Sequence, residues 1–289
     1  MKIALVVLIA LHGLIHLLGF AKAFGLGSAS QLKHDITKID GVLWFTSTAL
    51  LILTAYLLLM NIEWWWIVSV IAIVSSQTLI VTYWLDARFG TIANVIIMLI
   101  TVVGYGTWDF KGQYKDEVSG FLESTYRTPS SLLTEEDLKP VPVPVQNYIR
   151  YSGAIGQPKV KNFKVVFKGQ IRKNAQSDWM PFTSEQYNFM EAPTRLFFMK
   201  AKMKGLPVTG YHSFKNGMAT MDIRLLSLFN VQYQSGREMS IAETVTFFND
   251  MCCMAPATLI DKRIQWLETD SLMVRAKFTA NNITITAWL

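Results

Sequence analysis

Residues 3–21 read IALVVLIALHGLIHLLGFA, a run with no Asp, Glu, Lys or Arg. At about 1.5 Å per residue, a helix of that length spans a hydrocarbon core of about 30 Å. Three more such runs follow: 42–60 (VLWFTSTALLILTAYLLLM), 64–85 (WWWIVSVIAIVSSQTLIVTYWL) and 91–108 (TIANVIIMLITVVGYGTW). Four in succession predict a transmembrane bundle rather than the buried core helices of a soluble protein. A lipid-exposed span must satisfy its backbone internally, so the spans are helices. Trp44, Trp64, Trp65, Trp66, Trp84 and Trp108 fall at the segment ends, where an interfacial aromatic belt places them.

Outward from these runs the composition changes. Of the 289 residues, 51% are hydrophobic and 17% charged, against about 25% charged in soluble domains. Residues 1–110 hold few of those charges, and most lie beyond them. Such a chain is not intrinsically disordered, and two cysteines exclude a disulfide-stapled scaffold. With four spans, both termini share one side. Lys22, Lys33, Lys38 and Arg88 in the two loops face Lys2, Lys111, Lys115 and Arg127 on the other side. That slight bias places the loops in the cytoplasm and the large domain outside. The N-terminus also has the outline of a signal peptide, Met1-Lys2, an apolar run and then Ala21-Lys22-Ala23. The run exceeds the usual apolar region of about 7–15 residues, which favours a retained span. Cleavage would leave three spans and reverse the domain's side.

His12 and His16 lie four apart, on one face of the first span, at mid-bilayer depth. An intramembrane ionisable group marks a functional-site candidate. One reading is a metal, haem or proton-relay pair. The other is two neutral imidazoles bonded to Ser47, Thr48, Ser75, Ser76 or Gln77 of neighbouring helices. Two ligands do not complete a zinc site. Gly13 and Gly19 suit close helix packing.

After residue 110 a polar connection runs to residue 144. Within it Thr134 caps a short helix over Glu135-Glu136-Asp137, and Pro140–Pro144 is a stiff spacer. Pro144 opens a helix through Tyr148 and Tyr151, which Gly153, Gly156 and Pro158 end. Residues 145–289 read as an antiparallel β domain. In 163–172, Phe163, Val165, Phe167 and Ile171 alternate with Lys164, Lys168, Gln170 and Arg172. Further strands are expected at 186–191, 194–204, 207–215, 218–226, 229–234, 263–268, 271–279 and 283–289. Asn216-Gly217 and Asn281-Asn282 supply turns that accept positive φ. Ser240-x-x-Glu243 reads as a capping box, followed by an apolar stripe of Ile241, Val245, Phe248 and Cys252. The fold class is α+β, a four-helix transmembrane bundle followed by a curved antiparallel sheet packed on a helix. The last strand ends abruptly at Trp288-Leu289, which suggests a chain truncated at its C-terminus.

No phosphate loop, dinucleotide fingerprint, HExxH or Gly-x-Ser-x-Gly is present. His212 and Ser213 are strand neighbours on opposite faces, so they do not form a nucleophile–base pair. Asp178, Glu185, Glu191, Asp222, Asp250 and Asp261 could include paired carboxylates, but no spacing selects a pair. Glu191 and Arg195 suit a surface ion pair or turn contact. Cys252 falls in the core and Cys253 beside it is a candidate free thiol. The net charge of +6 is spread over strand lysines without an aromatic platform, so no nucleic-acid partner is expected. Anionic headgroups of membrane lipids suit it better.

One further pattern covers roughly residues 140–289. It comprises Pro144-Val145-x-x-Tyr148 with Gly153 and Gly156, then Trp179-Met-Pro181-Phe182-Thr183 with Gln186. Gly205-Leu206-Pro207-Val208, Tyr211 and Gly217 follow, then Pro256-Ala257 and Arg263-Ile-Gln-Trp266. This region resembles an uncharacterised bacterial family of membrane-anchored β-domain proteins, a domain of unknown function. Asp250-Met-Cys252-Cys253-Met254 departs from it, since the family tends to an acidic residue and a Trp before the proline. The family continues past the last strand here, which agrees with truncation. The resemblance implies the architecture and supplies no activity; the expected place is the bacterial inner membrane, with the β domain outside as the loop charges suggest. A more distant likeness, at the level of shape, is to the half-barrel that carries lipoproteins or lipids across the envelope.

The resulting expectation is an integral membrane protein whose extracytoplasmic β domain binds a lipid, another apolar ligand or an envelope protein. Its concave face would be lined by Phe167, Phe189, Phe198, Met199, Phe214, Phe248 and Met251. No cofactor is expected. The rivals are an enzyme modifying an envelope lipid or polymer, with carboxylates or His212 converging in a cleft, and a haem- or metal-binding membrane protein using His12 and His16.

Overall fold

The computed structural model describes residues 2–26, 33–126, 130–172, 174–270 and 273–289. Met1, Arg127 and the first two positions of the expected 271–279 strand lie outside the described residues. Two compact units divide the chain, Met1–Asp109 and Phe110–Leu289.

The first unit contains α1 (Lys2–Phe24), α2 (Lys38–Leu59), α3 (Trp65–Thr82), the short α4 (Trp84–Ala87) and the start of α5 (Gly90–Tyr126). The four long helices α1, α2, α3 and α5 are apolar enough to cross a membrane. Lipid tails are as apolar as leucine, so such helices associate through close packing and interhelical hydrogen bonds. The interior shows both. Ser47 meets Ser75 at 2.6 Å and Ser69 meets Thr101 at 2.7 Å. A Cβ on Gly19 would lie 2.5 Å from the Trp44 ring, and one on Gly41 would lie 2.4 Å from the Ala23 Cβ. Only glycine permits these two approaches.

α5 has 37 residues, about 55 Å at ~1.5 Å per residue. Residues 111–126, polar enough to read as a connection, are therefore helical. Tyr114, Val118 and Leu122 keep a helical spacing behind the charges, and they bury against the β domain.

The second unit begins its own elements with α6 (Glu135–Leu138), where Thr134 and Asp137 form a capping box, and α7 (Val143–Tyr151). Six strands follow as an antiparallel meander in sequence order. They are β1 (Asn162–Ile171), β2 (Met180–Phe189), β3 (Thr194–Met203), β4 (Leu206–Lys215), β5 (Met218–Leu225) and β6 (Phe229–Ser235). Then come α8 (Arg237–Met254), a 3₁₀ turn (Pro256–Ile260) and a second antiparallel sheet of β7 (Ile264–Thr269), β8 (Val274–Ala280) and β9 (Ile283–Trp288). Both Asn-containing turns adopt the left-handed region, with Asn216 and Gly217 at φ 52° and 73° and Asn281 and Asn282 at 49° and 64°. Such φ values match the twist of a two-residue hairpin.

Two expectations need correction here. β2 begins at Met180, six residues before the expected start, because residues 180–185 pair with residues 166–171 of β1. The buried stripe of α8 is Ser240, Glu243, Thr244, Phe247, Phe248 and Met251, while Ile241 and Val245 are exposed. Accordingly no Ser240–Glu243 capping box forms. The Ser240 hydroxyl donates to the Gly236 carbonyl and accepts from the Ala219 N–H. Glu243 turns instead toward the sheet.

Candidate functional site

The two faces of the six-stranded sheet have different fates. On one, Phe110, Tyr114 and Val118 of α5 bury against Phe189, Leu196, Phe198 and Tyr211. Tyr114 stacks on Phe198 at 5.5 Å, and the Arg224 guanidinium sits 4.0 Å from the Phe110 centroid. The opposite face carries cross-strand rows fixed by the register. Phe163, Asn188, Arg195, Phe214 and Ala219 form one row; Val165, Gln186, Phe197, His212 and Met221 form the next; Phe167, Ser184, Met199, Gly210 and Ile223 form a third.

The seven apolar residues expected to line one concave surface are thereby separated. Phe189 and Phe198 lie under α5. Phe214, Phe248 and Met251 are fully buried in the core that α8 makes with both sheets. Phe167 and Met199 alone share an open row, and both are partly exposed. Alternation along a strand says which residues share a face, but not which helix closes it.

Where the first row meets α8, a charged cluster is sealed in. Arg195 donates from Nε to Asp250 at 3.0 Å, from one terminal nitrogen to Glu243 at 2.9 Å, and from the other to Gln186 at 2.9 Å. Gln186 and Asn188 also donate to the Asp250 carboxylate, at 2.7 and 3.1 Å. All five side chains are buried. The expected Arg195–Glu191 surface pair is thus replaced by two buried ion pairs, because Arg195 faces α8. His212 stands at the edge, partly exposed, with Nδ1 3.5 Å from Glu243. Burial pushes the Glu243 carboxyl up, but the His212 contact and the Arg195 charge outweigh it, and its pKa is lowered overall. Ser213, on the opposite face, meets Glu117. His212 and two carboxylates do converge here, yet both carboxylates are already hydrogen-bonded to Arg195.

The third row joins none of the core clusters. Gly210 sits at its centre without a side chain, and a Cβ there would make only ordinary contacts of 3.8 Å with Ile223 and Met199. Beside it the Ser184 hydroxyl is buried without a hydrogen-bond partner, which is unusual enough in a native fold to require a cause.

A family model described as a family of unknown function (DUF6544) matches residues 131–289. The chain belongs to that family. No curated protein and no solved structure matches it, so the half-barrel likeness has no structural neighbour behind it. The DUF6544 region takes in α6 to α8 and both sheets, including the Arg195 cluster and the open row, and leaves out the four long helices.

In the helical unit, His12 and His16 are buried within one hydrogen-bond network. His16 Nδ1 donates to the His12 carbonyl at 2.9 Å, leaving Nε2 to accept from Ser76 at 2.8 Å. His12 Nε2 donates to Asn94 Oδ1 at 3.0 Å, and Asn94 donates to Ser76 and Gln77, each at 3.0 Å. One consistent tautomer assignment satisfies all these groups with neutral imidazoles. Ser76 was among the anticipated partners, whereas Asn94 was not. It is an isolated amide in an apolar run, with no pattern to link it to His12. Among the described residues, no three His, Cys, Asp or Glu are grouped to hold a metal ion.

Proposed function

We propose that this DUF6544 protein is an integral membrane protein whose β domain lies outside the cytoplasm and binds an apolar or amphiphilic molecule along the open row of its sheet. The observation that carries this reading is the cross-strand row of Phe167, Met199 and Ile223 around the side-chain-free Gly210, which also holds the unpartnered Ser184 hydroxyl. An apolar body would cover the row, and a polar end would reach Ser184 or His212. Apolar side chains with a few placed polar groups are the usual lining of a small-molecule site.

Full-length protein in detergent, incubated with palmitate and examined by native mass spectrometry, tests it. One retained palmitate is expected, lost in Gly210→Leu, which places a bulky side chain at the centre of the row. Retention by the variant, or no retention by the parent chain, removes the reading and turns attention to a protein partner.

The side is tested with the chain's own thiols. Cys253 is exposed, whereas burial pushes the Cys252 thiol up to about 12. A thiol so rarely ionised reacts slowly. A membrane-impermeant maleimide should therefore label one cysteine in intact spheroplasts, and Cys253→Ser should abolish it. Labelling only after lysis would place the domain inside.

A further inference from the structure

The helical unit holds a cavity of about 340 Å³ that neither the anchoring role nor the β domain explains. That is within the roughly 300–1,000 Å³ of small-ligand pockets. Its walls have two characters. His12, His16 and Trp44 form a polar side, and Ile15, Leu18 and Phe89 an apolar one. The three apolar side chains are exposed on the helical surface, Phe89 at 72%, where a membrane would present its acyl chains.

One hydrogen-bond donor among the lining residues has no partner. The histidines are partnered as described, but the Trp44 indole N–H is buried and has no partner. Trp44 is 5% exposed and is held against Gly19 and the His16 ring, 5.0 Å between centroids. The group left unsatisfied is a donor, so the matching ligand atom is an acceptor. Asp86 also lines the cavity. It accepts from the backbone N–H groups of His34 and Lys33 and from the His34 ring, each at 3.0 Å. Those bonds, the His34 backbone N–H foremost, hold its carboxyl down at about 2. A fixed carboxylate there disfavours an anionic head.

We infer that this cavity binds the uncharged, carbonyl-bearing head of a membrane-soluble amphiphile, with a carbonyl oxygen accepting from Trp44 Nε1–H and the tail leaving past Ile15, Leu18 and Phe89. A quinone ring and the ester carbonyl of a glycerolipid share that chemistry. The inference concerns the helical unit and is independent of the β-domain reading.

The test is thermal unfolding of the full-length protein in detergent with decylubiquinone, against decylbenzene, which has a similar tail and no carbonyl. A ligand that binds only the folded state raises the midpoint. Decylubiquinone is expected to raise it and decylbenzene not. Trp44→Phe, which keeps the ring and removes the donor, should need about tenfold more ligand for the same shift. Ala93→Leu, which fills the cavity from its lining, should abolish the shift while the protein still melts cooperatively. If decylubiquinone gives no shift, native mass spectrometry decides the source. A glycerolipid retained by the parent chain and lost in both variants identifies the lipid carbonyl as the ligand group. Equal shifts in all three proteins, a shift with decylbenzene, or neither shift nor retained lipid overturns the inference.

Discussion

Arg195→Met should lower the thermal unfolding midpoint of the full-length protein more than any surface substitution. The guanidinium binds Asp250, Glu243 and Gln186 in a place sealed from water. Removing it leaves two buried carboxylates facing each other across the vacated site. Breaking a buried pair in this way costs about 3–5 kcal/mol, mostly because the remaining charge is stranded. For a unit of this size each kcal/mol moves the midpoint by about 2–4 °C, so a fall of roughly 6–20 °C is expected by calorimetry. Replacing Arg195, Glu243 and Asp250 together with Met, Leu and Leu should recover part of the loss, since no buried charge is then stranded, while Gln186 and Asn188 still lose the carboxylate they donate to. A single-variant loss below about 1 kcal/mol would mean that water reaches the cluster, as it does at surface pairs.

The same cluster sets an acid limit. The Glu243 carboxyl is lowered in the folded protein from its ordinary 4.5. The unfolded chain therefore binds that proton more readily, and the stability it contributes is complete above about pH 4.5. It drains away as pH falls through the lower folded value. Glu243→Gln should flatten this part of the pH profile.

What the sequence disclosed follows from the range of each signal. The four spans were legible because a charge-free run of membrane length is a property of contiguous residues. The hairpins at Asn216-Gly217 and Asn281-Asn282 were legible for the same reason, as local backbone demands. The charged cluster was not. Gln186, Arg195, Glu243 and Asp250 come from two strands and a helix, and each alone reads as an ordinary surface residue. Glu243 even had a local explanation, the capping box with Ser240, which the tertiary contact displaced. The α8 stripe was misassigned in the same way. Ile241 and Val245 suggested an apolar face, while the helix buries Ser240, Glu243 and Thr244 because the sheet offers them partners. His12 and His16 were legible as candidates because they are rare in an apolar run. Their partner Asn94 is three spans away along the chain.

Phe278→Ala should have the other large effect, and it probes how the two sheets are joined. Phe278 of β8 is fully buried. It stacks on Phe248 at 5.2 Å and Phe247 at 6.2 Å, and Phe247 in turn meets Phe214 of β4 at 6.4 Å. The line of rings from β4 through α8 to β8 is thus the spine of that core. Truncating its end removes the ring's burial and leaves a cavity that its two rigid ring neighbours cannot fill, a cost of about 3–5 kcal/mol. Phe278→Leu should cost less, because more of the volume remains. The loss should also be uneven. The cluster under α5, built on Tyr114, Phe189 and Phe198, shares no residue with this core. Hydrogen exchange should therefore show β7, β8, β9 and α8 losing protection while β2 and β3 keep theirs, the pattern of a separable cooperative unit. Equal loss across both sheets would mean that α8 transmits the defect to Arg195 and that the second unit opens as one body. The acid limit set by Glu243 would then be shared by the small sheet as well.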